Sequence, residues 1–205
     1  MKPYLAAARF QAWKPLREPP FVGVVSLTGT ITQRRRVAAG MRVGVATAKA
    51  LSQALSVPIV GITSLDLLAY DVRYASKTIC AVLDARRSEV FYAFYRSSPG
   101  GVQRMSEYRV DKPGALAIGL ASRPEEVLLV GSGAHLYREV FDELGSVVEV
   151  GGLGDSYPTA SSLVELSLPR LVRQDFDSPY DLVPLYLRQS ARRIEWERIR
   201  GSRSA

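Results

Sequence analysis

The stretch GMRVGVATAKALSQAL at residues 40–55, followed by VPIVGI at 57–62 and SLDLLAYDVRYA at 64–75, decides the fold class of this 205-residue chain. The first segment contains no proline and is rich in helix formers, so it predicts a helix. The second is a short apolar run typical of a buried strand. Thr63 or Ser64 is the N-cap candidate for the third segment, which predicts a second helix.

The helix predicted over 40–55 is amphipathic. Its apolar stripe, at the spacing of 3.6 residues per turn, consists of Met41, Val45, Ala48, Leu51 and Leu55. Gly40, Gly44 and Ala48 form a line without bulky side chains, where another backbone can approach closely. Two interpretations of this line stay open: a docking face for a partner helix, and ordinary packing against the chain's own sheet.

Downstream of residue 76 the pattern alternates between strands and helices. TICAVLD and EVFYAFY, joined by the polar ARRS, predict a β-hairpin over 78–84 and 89–95. Further strands are predicted over 108–110, 127–130 and 147–150, and further helices over 113–121, 135–144 and 158–173, the last with a kink or break at Pro169. Residues 183–187 are expected to end the folded part. The sequence therefore predicts a mixed α/β class.

Composition excludes several classes of protein. Hydrophobic residues at 47% and charged residues at 23% are typical of a globular chain and argue against disordered, collagen-like and coiled-coil proteins. A single cysteine, Cys80, excludes a disulfide scaffold, and a single histidine, His135, excludes a His-rich metal site. No apolar run approaches the ~20 residues that span a bilayer, so we expect a soluble, cytoplasmic protein without a membrane partner.

The net charge of +7 is concentrated at the two ends. Residues 1–40 carry seven basic residues against one acidic residue, 41–185 carry fourteen against seventeen, and 186–205 carry six against two. The arginines at 34–36 are a candidate RNA contact, although such short runs are more often solvated. Basic ends on a slightly acidic body indicate tails or an acidic partner more than a groove for phosphates.

Two turns carry candidate chemistry. Asp84, Arg86, Arg87 and Glu89 crowd one hairpin, which suits either an anion site or a solvated loop, the second being favoured. The GSG at 131–133 follows a strand, but it lacks the third glycine and the lysine of nucleotide motifs, which favours a tight turn. We assign catalysis neither to Cys80, as a buried strand thiol, nor to His135, near a helix start.

Five blocks of sequence together resemble the TsaB (YeaZ) family. They are GMRVGVATAKALSQALSVPIVGITSLDLLA at 40–69, DARRSEVFYAFY at 84–95, LLVGSGAHLY at 128–137, YPTASSL at 157–163 and VPLYLR at 183–188. The first two blocks are the most specific, because their order and spacing occur together with the PLYLR tail. The resemblance covers roughly residues 40–190.

The resemblance implies an ASKHA-type (actin/Hsp70-like) fold of two lobes, each with a mixed sheet and flanking helices. It also implies a non-catalytic dimerisation scaffold in the complex that forms threonylcarbamoyladenosine beside the anticodon of tRNA. The implied partners are a catalytic TsaD-type subunit and a TsaE-type ATPase, and tRNA would be bound through the complex. A homodimer is an open alternative for the chain without its partners. No cofactor or metal is implied for this chain. By match to the family helix, the interface candidates are Gly40, Arg42, Gly44, Ala48 and Leu51.

Residues 1–39 depart from the family pattern, because the expected Ile-Asp-Thr strand, hairpin and following helix are not readable there. We therefore expect an incomplete first lobe. The predicted organisation is an atypical segment at 1–39, a remnant of the first lobe at 40–76, a second lobe at 77–190 and a basic tail at 191–205.

Two other functions stand beside the scaffold. A glycoprotease-like peptidase would need a nucleophile and a base, which one histidine without a placed partner does not supply. A direct tRNA-binding module would use the arginines at 34–36 and those of the C-terminal tail.

Overall fold

Two β-sheets organise the part of the chain that the computed structural model describes, namely residues 22–25, 36–185 and 187. The strands are β1 Val22–Val25, β2 Ile59–Ile62, β3 Thr78–Arg86, β4 Glu89–Ser98, β5 Gly101–Arg104, β6 Arg109–Asp111, β7 Val127–Val130 and β8 Val148–Val150. The α-helices are α1 Arg36–Leu55, α2 Ser64–Asp71, α3 Pro113–Ala121, α4 Ser132–Leu136, α5 Arg138–Asp142 and α6 Ala160–Val172, with 3₁₀ turns at Gly145–Val147 and Leu153–Ser156.

The large sheet has the strand order β5-β4-β3-β7-β8, and β6 pairs with β4. Its central strand β3 pairs antiparallel with β4 and parallel with β7. The sheet is therefore mixed, and with helices beside it the predicted mixed α/β class is confirmed.

Both faces of the large sheet are buried. Because side chains alternate across a strand, neighbouring residues of β3 belong to opposite faces. On one face, Cys80 and Val82 of β3 pack with residues of α3, α4 and α5, among them Leu120 and Phe141. On the other face, β3 packs against α2, where the buried residues include Leu65, Leu68 and Ala69. Helices thus cover the sheet from both sides.

The small sheet consists of β1 and β2, which run parallel with Val22 opposite Ile59 and Val25 opposite Ile62. Helices α1 and α6 both contact these two strands. Asp177 forms an antiparallel bridge to Ile59, its N–H donating to the Ile59 carbonyl oxygen at 2.9 Å. The range 77–190, expected to form the second lobe, thus includes a helix and a following segment that pack on the small sheet.

Several element bounds differ from the sequence-based ones. The first helix begins at Arg36 rather than residue 40, since RVAA continues its run of helix formers. The helix predicted over 64–75 ends at Asp71, with Thr63 as its N-cap. Two short helices, the first beginning at Ser132, stand in place of the helix predicted over 135–144. They are separated at Tyr137, whose φ of −113° and ψ of 30° are not helical.

Three further differences concern strands and the last helix. β5 was not predicted, because GVQR after Pro99 has no apolar run. Helix α6 continues through Pro169 to Val172, so the proline does not break it. Within the atypical segment at 1–39, the structure describes residues 22–25 as β1, and the arginines at 34 and 35 and the tail at 191–205 lie outside the described residues.

Candidate functional site

Helix α1 presents an apolar stripe to solvent. Val43, Leu51 and Leu55 are 64%, 46% and 62% exposed, and with Thr47 they follow one another in steps of four residues. Because residues four apart lie on the same side of a helix, these four side chains form one continuous stripe. We call Val43, Thr47, Leu51 and Leu55 the outer stripe.

The opposite side of α1 is the one that packs, and it includes two polar residues, Lys49 and Ser52, beside the half-buried Met41 and Val45. Ser52 is 4% exposed, and its hydroxyl donates to the Val57 carbonyl oxygen at 2.6 Å. Lys49 reaches the C-terminal segment, with Nζ donating to the Leu182 carbonyl oxygen at 3.2 Å. A surface helix normally buries its apolar face, whereas α1 also leaves a valine and two leucines exposed on its outer face.

The five predicted interface residues do not share one face. Gly44 and Ala48 are half-buried beside the outer stripe, Leu51 lies in it, and Gly40 belongs to the same helix. Arg42 is exposed nine positions before Leu51, which at about 100° per residue puts it on the opposite side of α1. A flat partner surface that contacts Leu51 would therefore not contact Arg42. The predicted apolar stripe also divides, since Met41 and Val45 are half-buried whereas Leu51 and Leu55 are exposed.

Helix α6 repeats the arrangement of α1. Its exposed residues Val164, Leu168 and Val172 are again four apart, while Ser162, Leu163 and Ser167 are buried. The buried hydroxyls are satisfied, since Ser162 donates to the Asp71 carboxylate and Ser167 to the Val164 carbonyl oxygen. The sequence analysis missed this face, although the apolar steps of four residues were a signal that could have indicated it.

A cluster of arginine and carboxylates fixes the segment after α6 against β2. Arg170 pairs with Asp175 at 2.9 Å and with Asp177 at 3.1 Å, and its Nη1 donates to the Gly61 carbonyl oxygen. Asp177 in turn accepts from the Gly61 N–H at 2.6 Å. This cluster holds together the small sheet on which α1 rests.

A second polar cluster joins α2 to the large sheet. The Asp66 carboxylate accepts hydrogen bonds from the hydroxyls of Tyr95 and Tyr108, each at 2.8 Å. Burial, with the Asp66 charge adding to it, raises the pKa of Tyr108 to about 12. Beside the cluster is a cleft of about 320 Å³, lined by Asp66, Arg104, Arg170 and apolar side chains. The orientation of α2 against the sheet is therefore set by hydrogen bonds as well as packing.

The two candidate nucleophilic and basic residues have ordinary structural surroundings. Cys80 is fully buried in β3, and burial raises the pKa of its thiol. The ring Nε2 of His135 donates to the Gly152 carbonyl oxygen at 2.9 Å. Across the described residues, no group of three His, Cys, Asp or Glu side chains could hold a metal ion.

The candidate hairpin and the GSG turn lie side by side. The Asp84 side chain, 5% exposed, pairs with Arg86 at 3.2 Å, and Ser132 accepts from the Asp84 N–H at 3.5 Å. Asp84, Arg86 and the GSG turn are thus brought together, whereas the α1 residues lie on the other sheet.

The fold and site define a class: a mixed α/β protein whose small-sheet helices carry exposed apolar residues on their outer faces. None of the helices in the described part of the chain is long and apolar enough to cross a membrane. The family model of TsaD, tRNA N6-adenosine threonylcarbamoyltransferase, matches residues 37–196. The chain belongs to that family, and its relatives identify it as a member of the TsaB (YeaZ) group within it.

The relatives agree on the group. The tRNA threonylcarbamoyladenosine biosynthesis protein TsaB of Bacillus subtilis is 29% identical over 161 residues, which are 77% of this chain and 67% of that protein. The TsaB of Escherichia coli is 23% identical over 165 residues, 79% of this chain and 69% of that one. An uncharacterised Mycobacterium leprae protein is 44% identical over 152 residues, and the match spans 73% of this chain but only 34% of that longer protein.

Solved structures support the fold. YeaZ from Pseudomonas aeruginosa superimposes with a TM-score of 0.60 at 21% identity, covering 73% of this chain and 68% of that chain. A second Pseudomonas aeruginosa structure, described as similar to peptidase YeaZ, gives the same TM-score at 23% identity. The relatives named TsaB place this chain in tRNA threonylcarbamoyladenosine biosynthesis.

Proposed function

We propose that this chain is the non-catalytic scaffold subunit of the complex that forms threonylcarbamoyladenosine in tRNA, and that it pairs with a TsaD-type catalytic subunit in the cytoplasm. The observation that carries the proposal is the outer stripe of α1. A stripe of exposed valine and leucines on a helix that buries a serine costs solubility, unless another protein covers it. A TsaE-type ATPase would join the complex, and tRNA would bind to the assembled complex.

The fold supports the scaffold role. In the large sheet, β3, β4 and β5 are neighbours in chain order and run antiparallel. The strands β7 and β8 lie on the other side of β3 and run parallel with it. This order, with helices on both faces, fits one lobe of an actin/Hsp70-like fold, and the small sheet with α1 and α6 would be what this chain has of the other lobe. In that arrangement α1 lies at the outside, where a second subunit can dock.

A non-catalytic role is supported by the chemistry of the side chains. The Cys80 thiol is buried with a raised pKa, so it does not ionise readily. His135 uses one ring nitrogen on a backbone carbonyl, and no serine hydroxyl is bonded to it among the described contacts. A peptidase would need such a pair.

The test is complex formation with the TsaD-type subunit of the same organism, followed by light scattering. The unmodified chain should give a one-to-one complex. Leu51→Glu, at the centre of the outer stripe, should abolish that complex, because a carboxylate would be buried against apolar surface. Gly44→Trp, which places a bulky ring beside the stripe, should also weaken it.

The matched control is Gln53→Glu, which adds the same charge on another exposed side of α1. It should leave the complex intact. Loss of the complex in both glutamate variants, or in neither, would contradict the proposed interface, and circular dichroism of each variant separates loss of binding from loss of folding.

A further inference from the structure

The turn between β3 and β4 has a backbone conformation that its residues do not favour. Arg86 pairs with Glu89 across the hairpin, so Arg87 and Ser88 form a two-residue connection. Both have φ of 57°, and Arg86 has φ of 63°. Two-residue turns with positive φ favour Asn-Gly, because most other side chains are strained in this region. An Arg-Ser pair here sacrifices stability, which is a feature of functional sites.

The base of this turn is built around a buried carboxylate. The Asp84 side chain is 5% exposed, accepts from the Arg86 N–H at 2.8 Å and pairs with the Arg86 guanidinium at 3.2 Å. Asp84 thus neutralises and orients Arg86 at the base of the turn. The tip, with Arg87, is displayed above it.

A second turn, at residues 131–133, packs against β3 just before the hairpin turn. Gly131 has φ of 105°, and a Cβ on it would lie 2.3 Å from the Val82 carbonyl oxygen. A Cβ on Gly133 would lie 2.9 Å from the Leu83 carbonyl carbon. Only glycine allows this approach, which brings both turns to the carboxyl ends of the adjacent parallel strands β3 and β7. Ligands of α/β sheets bind at this edge.

The charge at the tip is positive. Asp84 is paired with Arg86, and Glu89 lies half-buried at the far side of the turn, where it has contacts of its own. Within residues 36–185, no carboxylate lies at ion-pair distance from the exposed Arg87 guanidinium. Arginine presents donors in a fork that matches phosphate oxygens. The chemistry is therefore that of a phosphate contact.

We propose that Arg87 contacts a backbone phosphate of RNA, with Arg86 and Asp84 as positioning residues. The inference rests on the proposed function, since the RNA would be the tRNA that the complex modifies. A free phosphate has the same chemistry, and the experiment separates the two sources.

The central variants are Arg87→Asn and Ser88→Gly, because both relieve the strain and only the first removes the guanidinium. Both should raise the melting temperature. Ser88→Gly should keep tRNA affinity, whereas Arg87→Asn in the complex should lower it about fivefold to tenfold and reduce the dependence of log K on log salt by about one. The control is Arg96→Gln, which removes one charge from an exposed position of β4. It should change the tRNA affinity and its salt dependence less than Arg87→Asn does.

Two readouts keep the outcomes distinct. If light scattering shows that the Arg87→Asn chain still forms the complex but tRNA affinity is unchanged, the phosphate contact is refuted while the scaffold role stands. An NMR titration of the chain alone with inorganic phosphate needs no partner. Shifts at residues 86–88 that vanish in Arg87→Asn support the contact, and their absence from the unmodified chain overturns it. Phosphate binding without an effect on tRNA affinity would refute RNA as the source.

Discussion

The two sheets of this molecule differ in how completely the apolar side chains around them are buried. In the large sheet, β3 alone buries Ile79, Cys80, Ala81 and Val82 completely, and helices cover both faces. Around the small sheet, α1 and α6 bury Leu163 and three serines but leave several valines and leucines exposed, among them Val43, Leu51, Val164 and Leu168. The large sheet is thus a core that is complete within the chain, whereas the small-sheet helices carry surface suited to another molecule.

The largest expected effect lies in the large-sheet core. Phe141 of α5 is 0% exposed, and its ring packs against the large sheet. Replacing Phe141 with Ala should lower the free energy of unfolding by about 3–5 kcal/mol, since a cavity remains where the ring was. Urea unfolding monitored by circular dichroism measures this. A loss below about 1 kcal/mol would show that the core is not closed as described.

A smaller effect is expected from the cluster that holds the small sheet. Arg170→Met keeps the length of the side chain but removes its bonds to Asp175, Asp177 and the Gly61 carbonyl. The free energy of unfolding should fall by about 2 kcal/mol, within the range for hydrogen bonds to charged groups. Hydrogen exchange should report the loss at β2 and α1 first. Equal loosening of β3 would mean that the two sheets unfold as one unit.

Much of the large sheet follows from the sequence, because its apolar runs are continuous and bounded by clear turns. The hairpin over β3 and β4 and the strand β7 are examples, and so is the N-cap before α2. The small-sheet helices show the limit of such patterns. Ser52 and Ser162 are buried because their hydroxyls find partners at Val57 and Asp71, which only the tertiary structure reveals.

The candidate site was predictable to the same degree. The sequence placed an apolar stripe on the first helix, yet it could not decide which side faces the sheet. That side is decided by long-range contacts such as Lys49 with the Leu182 carbonyl. The hairpin arginines were visible in the sequence, but the positive φ angles at Arg87 and Ser88 were not, since no glycine marks them.

Alkaline pH should weaken the contact of α2 with the large sheet by a smaller amount. Burial raises the pKa of Tyr108 to about 12, above the value near 10 of an unfolded chain. The folded state therefore keeps a proton that the unfolded state loses, and the free energy of unfolding should fall as pH rises from 10 to 12. Tyr108→Phe should make this decline shallower. A decline as steep in that variant would assign it to other groups, such as Tyr92.

The smallest effect is expected on the exposed face of α6. Leu168 is 48% exposed, so Leu168→Gln should change the free energy of unfolding by less than about 0.5 kcal/mol. Self-association at high concentration, followed by sedimentation velocity, should nevertheless decrease. Destabilisation comparable to that of Phe141→Ala would erase the contrast between the two sheets.

The central claim, that the outer stripe of α1 is a surface for a partner, is tested most directly by hydrogen exchange of the chain with and without the TsaD-type subunit. The expected result is increased protection of amides in residues 41–55, with little change in β3 and β7. Protection confined to the large sheet, or none in α1 when a complex has formed, would contradict it.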